Sequence, residues 1–176
     1  QNQSLDLINN HFLGNSADYG GGVRVTGATI QFRNNLVAWT QAGSGVYATL
    51  VGATFNYNAY YSNTSDHLSG VALGGHSRDQ DGLGETPDLV DYTPDGDCSN
   101  DELWPAFKSP LLDAGDPDSA YDDPDGSFND IGAYGGGSAE VTFHTDGDGD
   151  TYVFIDDCND SDDTRFPGQV WYPDCD

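Results

Sequence analysis

The 176-residue chain contains no Met, only three Cys, and only 5 Lys and Arg against 30 Asp and Glu, for a formal charge of −25. So few bases exclude nucleic acid and anionic membrane as partners, because both need clustered Lys and Arg. No stretch approaches the roughly 18 apolar residues that a membrane-spanning helix requires, so no membrane insertion is expected. Neither an initiator Met nor a signal peptide is found, and a chain opening at Gln1 is expected to be a processed or cut piece of something longer. The four His (His11, His67, His76, His144) and three Cys lack zinc-ligand spacing, and each His reads as a surface or turn residue. What is present argues for a packed core despite the charge: 12% aromatics and several valine-rich stretches.

The charge is unevenly placed. Residues 1–78 hold three acids (Asp6, Asp18, Asp66) and three bases (Arg24, Arg33, Arg78), whereas all other acids face only Lys108 and Arg165. The acids of the second half alternate with Gly, Asn, Ser and aromatics, which a plain solvated tail does not do. Divalent cations are the obvious means of compacting such a segment.

The neutral half repeats. Ile8-Asn9-Asn10-His11-Phe12, Phe32-Arg33-Asn34-Asn35-Leu36 and Phe55-Asn56-Tyr57-Asn58-Ala59 align at 25 and 23 positions, and Gly22-Val23, Gly45-Val46 and Gly70-Val71 follow at 23 and 25. A unit of about 24 residues with short β-type runs and no helical period indicates a solenoid. The leucine-rich framework is missing, so the fold expected is all-β, a parallel β-helix with Asn10, Asn35 and Asn58 stacked as a ladder. Val23, Val25, Val46, Tyr47, Val71 and Leu73 are expected to point inward. The first coil would present open strand edges, to be covered by upstream coils of a parent protein or by another copy of the chain.

From about Ser77 the period is lost. Pro87–Asp91 and Ser109–Asp116 read as short strands between turns, Asp130–Gly136 closes the module, and Val141-Thr142-Phe143 reads as a strand leading into an acidic segment. The expected divisions are residues 1–76 (coils), 77–136 (an irregular C-terminal cap) and 139–176 (an acidic calcium-loop appendage).

The clearest chemical pattern is Asp146-Gly-Asp148-Gly-Asp150-Thr-Tyr152 with Asp157 eleven positions after Asp146. Carboxylates then occupy positions 1, 3, 5 and 12 of a calcium loop, with the Tyr152 carbonyl at position 7. Thr151 stands where such loops carry Gly at position 6, and Asp157 is shorter than the usual Glu; both favour a strand-flanked variant over a helix-flanked one. A second candidate site is Asp157, Asn159, Ser161 and Asp162, with Asp160 and Asp163 nearby. A third is Asp123-Pro-Asp125-Gly-Ser127-Phe-Asn129-Asp130, into which Asp113 or Asp116 could reach; its rival is a cluster of Asx turns that needs no metal. Asp79-Gln-Asp81 and Asp95-Gly-Asp97 read as turns. Two or three Ca2+ ions are expected, magnesium less so because it keeps its waters. Cys158 and Cys175 flank the acidic repeat, and a bridge between them would contribute roughly 3 kcal/mol through loop entropy; a Cys98–Cys158 pairing is the alternative.

Two family resemblances are carried by these motifs. Thr86–Gly136, with S-P-L-L-D-A-G-D-P and D-P-D-G-S-F-N-D-I-G-A-Y-G-G, resembles the C-terminal end of bacterial right-handed parallel β-helix proteins of the pectate-lyase-like superfamily. The terminal D-G-D-G-D-T-Y…D-D-C-N-D-S-D-D-T-R-F-P-G…C-D resembles the metal-binding repeat at the C-termini of secreted bacterial surface proteins, similar in style to thrombospondin type 3 calcium repeats. That resemblance implies an extracellular or cell-surface setting, a shared Asp157 between two ions, and a final repeat cut short at Asp176.

The resemblance also raises an enzyme reading, a calcium-dependent polysaccharide lyase or glycoside hydrolase. A lyase needs a basic side chain to take the α-proton, but Arg24 and Arg33 occupy different places in the repeat. A glycosidase needs paired carboxylates, and the coils hold only three acids. The preferred expectation is a structural, adhesive or self-assembling module, with extracellular polysaccharide as a further partner through Trp39, Tyr60, Tyr61 and Trp171.

Overall fold

The structure, a computed structural model, describes residues 4–27, 29–49, 52–72, 75–77, 86–154 and 157–168. Leu73, Asp79, Asp81, Trp171 and Cys175 lie outside the described residues. The described chain is all-β, with no α-helix. Nine short strands run in sequence: β1 (Ser4–Ile8), β2 (His11–Leu13), β3 (Val23–Thr26), β4 (Thr29–Arg33), β5 (Leu36–Ala38), β6 (Val46–Thr49), β7 (Thr54–Asn56), β8 (Ala59–Tyr61) and β9 (Leu68–Ser69). They form three parallel three-stranded sheets, β1-β4-β7, β2-β5-β8 and β3-β6-β9, so the chain visits the same three sheets in turn on each pass.

Register follows the sequence repeat. Ser4 pairs with Thr29 and His11 with Leu36, 25 residues on, while Val23 pairs with Val46 and Leu36 with Ala59, 23 on. The third pass departs from expectation. Val46 pairs with Leu68 and Tyr47 with Ser69, rather than Gly45-Val46 with Gly70-Val71. The Gly45 N–H donates to Asp66 O, and a Cβ on Gly45 would stand 2.8 Å from His67 O. The turn before β9 is therefore short, and Gly70, at φ +82°, serves in the turn after it.

The corners explain the Asn-rich motifs. Asn9, Asn34 and Tyr57 share φ of +54° at the first corner of each pass, and Trp39 (φ +54°) and Ser62 (φ +47°) mark the second. Asn tolerates this left-handed conformation better than most residues. Just beyond the first corner the expected ladder is present. Asn35 Oδ1 accepts from Asn10 N and Nδ2, both at 3.0 Å, and Asn58 Oδ1 accepts from Asn35 N and Nδ2 at 3.0 and 3.1 Å. The Nδ2 groups also donate back to carbonyls of Leu7, Arg33 and Phe32, at 2.8 Å each. Buried backbone groups at the corner are thereby paired. A second, shorter ladder escaped the sequence reading: Asn63 accepts from Thr40 N and donates to Val37 O.

Inside the sheets lie Val25, Ile30, Phe32, Val37, Val46, Ala48, Phe55 and Tyr60, with Phe12, Phe32 and Phe55 in a column of rings 5.9 and 5.3 Å apart. Each fully buried aromatic or branched side chain contributes roughly 1.5–3 kcal/mol. Val23 and Val71 pack at the edge of this core. Tyr47 does not join it. Its ring turns outward onto Tyr19 (5.4 Å) and Arg24 (5.8 Å), because Val46 and Ala48 on either side of it already point inward.

Sheet β2-β5-β8 is buried on both faces. Its outward residues Leu36, Ala38 and Ala59 are covered by Leu111, Ala114 and Ile131. The segment beyond β9 thus lies along the flank of the strands, tied by Gly132 N to Asn34 O (2.9 Å), Asp116 N to Asn34 Oδ1 (3.0 Å) and Asn9 Nδ2 to Asn129 Oδ1 (3.0 Å). The expected strand at Leu89 is present as β10 (Leu89–Asp91), antiparallel to β11 (Glu102–Pro105). Two other expectations are corrected. Ser109–Gly115 is a run of turns: Pro110 has no N–H for a ladder, and Leu112 N bonds back to Ser109 O. Val141–His144 is a 3-10 turn rather than a strand, since Phe143 swings inward onto Trp104 (5.5 Å) and Tyr134 (4.9 Å).

Candidate metal centres

Two of the three expected clusters gather. In the first, Asp146, Asp148 and Asp150 each bring an oxygen within 4.8 Å of the others. The loop is built by its own side chains. Asp146 accepts from Gly149 N (2.6 Å) and Thr151 N (2.9 Å), Asp148 Oδ1 from Asp150 N (3.2 Å), and Asp150 Oδ1 from Tyr152 N (2.9 Å). Tyr152 stacks on Phe166 at 5.7 Å, which fixes the loop's exit. Asp148 and Asp150 thus each spend one oxygen on the turn. The other, Oδ2, is buried in each without a hydrogen-bond partner, as are both oxygens of Asp157. Burial raises the pKa of Asp157, with Asp150 and Asp148 adding to the effect. Asp148 is raised likewise by burial, then by the charges of Asp150 and Asp146. Buried carboxylate oxygens without donors, as on the neighbouring Asp148 and Asp150, suit a cation.

Thr151 adopts φ +84°, a left-handed conformation that a β-branched residue rarely takes. The backbone at position 6 thus bends as a Gly would, although no Gly is there.

At the second expected site the polar groups build turns. Asp162 Oδ1 is taken by Thr164 N (3.2 Å) and Oγ1 (2.6 Å), and Asn159 O accepts from Ser161 N and Asp162 N. Asp160 instead crosses to the first loop, where it accepts from Gly147 N at 2.8 Å. It braces that loop, whereas the sequence placed it beside the second candidate site. Cys98 is free and exposed, and the expected pairing of Cys158 with Cys175 falls on a residue, Cys175, outside the described residues.

The third cluster gathers with a different membership. Asp123, Asp130 and His144, all buried, bring ligand atoms within 4.8 Å of one another. Asp123 accepts from Asp130 N (2.9 Å) and Gly136 N, and Asp130 Oδ1 accepts from Asp113 N (2.7 Å). Burial pushes Asp123 up to about 6. Asp125 Oδ2 stands 3.6 Å from His144 Nδ1, while its Oδ1 holds Ser127 N and Oγ in an Asx turn. The Asx-turn expectation therefore holds for Asp125 and Ser127, as it does for Asp95 and Asp97. Asp116 does not reach in: it pairs with Arg33, whose guanidinium lies 5.0 Å over the Tyr121 ring. His144 is not a surface residue, and neither is His11. Both ring nitrogens of His11 are buried, and burial lowers its pKa to about 4. Periodicity had no means of finding His144, because only the turn at Val141–His144 brings it back onto residues 123–130.

Comparison with protein-family models, curated proteins and solved structures gives no match.

Proposed function

We propose that the chain is an extracellular, calcium-stabilised segment of a right-handed parallel β-helix, with a structural, adhesive or self-assembling role at a surface or in a filament. The observation that carries the calcium reading is the set of orphaned oxygens: Asp148 Oδ2, Asp150 Oδ2 and both of Asp157. These are hard ligands at positions 3, 5 and 12 of a calcium loop, and Asp146, at position 1, gathers with Asp148 and Asp150. The helical-coil reading is supported by three parallel sheets visited in constant order and by the Asn ladder between passes.

A scaffold role is favoured over a lyase by what the arginines do. Arg33 is held between Asp116 and Tyr121, and Arg24 lies against Tyr19 and Tyr47. Neither is a base poised over a groove. Strands β1, β2 and β3 each pair on one side only among the described residues, and these edges fit a further coil or a second copy.

The test is thermal unfolding with calcium or EGTA. Calcium at about 100 times its Kd stabilises the fold by about 2.7 kcal/mol, raising the midpoint by several degrees. A midpoint indifferent to both reagents refutes the calcium reading.

A further inference from the structure

The cluster at Asp123, Asp130 and His144 differs from the calcium-type loop in one respect that matters chemically: it contains an imidazole. His144 is 5% exposed, and its Nε2 lies 2.9 Å from the Tyr134 carbonyl. A carbonyl only accepts, so Nε2 carries a proton, and in the neutral imidazole Nδ1 then presents a lone pair. That Nδ1 is buried, has no hydrogen-bond partner, and faces Asp125 Oδ2 at 3.6 Å. An imidazole oriented by an N–H to a backbone carbonyl, with its second nitrogen turned toward carboxylates, is the usual arrangement of a metal-ligating His.

Charge points the same way. Asp113, Asp123, Asp125 and Asp130 surround one imidazole, and Arg33, the arginine of this flank, is already engaged with Asp116. Protonated His144 would neutralise one of these charges; a divalent ion would neutralise two and use the Nδ1 lone pair. Calcium is the poorer occupant because it takes oxygen ligands, whereas imidazole with carboxylates suits zinc and its first-row neighbours. The sequence offers no zinc spacing because the ligands come from two turns that meet only in the folded chain.

We propose that Asp123, Asp130 and the Nδ1 of His144, with Asp125 at hand, form a second metal site selective for a zinc-class divalent ion, separate from the loop at Asp146–Asp157. Such an ion would fasten the residue 141–144 turn to the 123–130 loop, and so the acidic segment to the flank of the coils.

The experiment is a titration of the whole chain, stripped with EDTA and held in excess calcium, with Zn2+ and in parallel with Co2+. One equivalent of zinc is expected to bind despite the calcium. His144→Gln and Asp130→Asn should each weaken zinc by more than about 100-fold, beyond the range seen for outer-shell partners. Calcium binding by both variants should stay within about twofold, which also shows that they fold. In the unsubstituted chain, zinc should shift the His144 Nδ1 resonance by 15N NMR. The proposal is overturned if zinc does not bind in excess calcium, if His144→Gln leaves its affinity unchanged, or if it binds without moving that resonance. None of these results bears on the calcium reading, which is decided by the EGTA experiment.

Discussion

Thr151 shows what a single position does for the acidic loop. Its φ of +84° is imposed by neighbours that all need the bend: Asp146 caps its N–H, and Asp150 caps the next one. A threonine held there costs on the order of 1–2 kcal/mol relative to a residue without Cβ. Thr151→Gly is therefore expected to stabilise the cation-loaded chain by about 1 kcal/mol in urea unfolding and to raise cation affinity, although it removes a side chain. A loss of stability would mean that the Thr151 side chain does more than occupy the bend. The residue scale also shows how charge is distributed within one turn: Asp146 is lowered chiefly by the Thr151 N–H, while Asp148 and Asp157 are raised by burial. Asp146 spends both oxygens on the turn, whereas Asp148 and Asp150 spend one each and keep the other free of donors.

Among the elements, the Asn ladder joins one pass of the chain to the next. Asn35 is its centre, fully buried and bonded to both neighbours, whereas Asn10 is bonded on one side only. Asn35→Ala strands several buried donors and acceptors, each costing about 1–3 kcal/mol, so a loss of about 3 kcal/mol is expected. Asn10→Ala should cost about 1 kcal/mol. Paired urea curves decide it, and equal losses would contradict a ladder. This part of the fold was legible because stacking demands the same residue at the same place on every pass, and the Asn10, Asn35 and Asn58 spacing records that demand. The Gly70-Val71 alignment misled because the third turn is shorter than the second. Ser109–Gly115 misled because apolar residues covering an outer face look like a strand in sequence while Pro110 forbids the ladder. Of the acidic groups, Asp146–Asp150 could be read because its carboxylates are local in sequence. The joining of His144 to Asp123 and Asp130 depends on tertiary contact and leaves no spacing to read.

Across the whole molecule, the −25 charge resolves into a neutral set of strands and an acidic segment fastened to their flank. That fastening is sensitive at Gly132, whose φ is +111° and where a Cβ would stand 2.0 Å from the His11 ring. Gly132→Ala is expected to destabilise by about 2–4 kcal/mol and to expose Leu36, Ala38 and Ala59, read as increased binding of a hydrophobic dye. Unchanged dye binding would show that the flank stays covered. The same contacts set a clock on biogenesis. Asn9 must wait for Asn129 and Gly132, about 120 residues later, before its side-chain amide is satisfied. At roughly 5–20 residues per second, that delay is about 6–25 s of synthesis. Through that interval the outer face of β5 and β8 stays bare, so the nascent chain exposes apolar surface for a defined period that closes once Leu111, Ala114 and Ile131 have emerged.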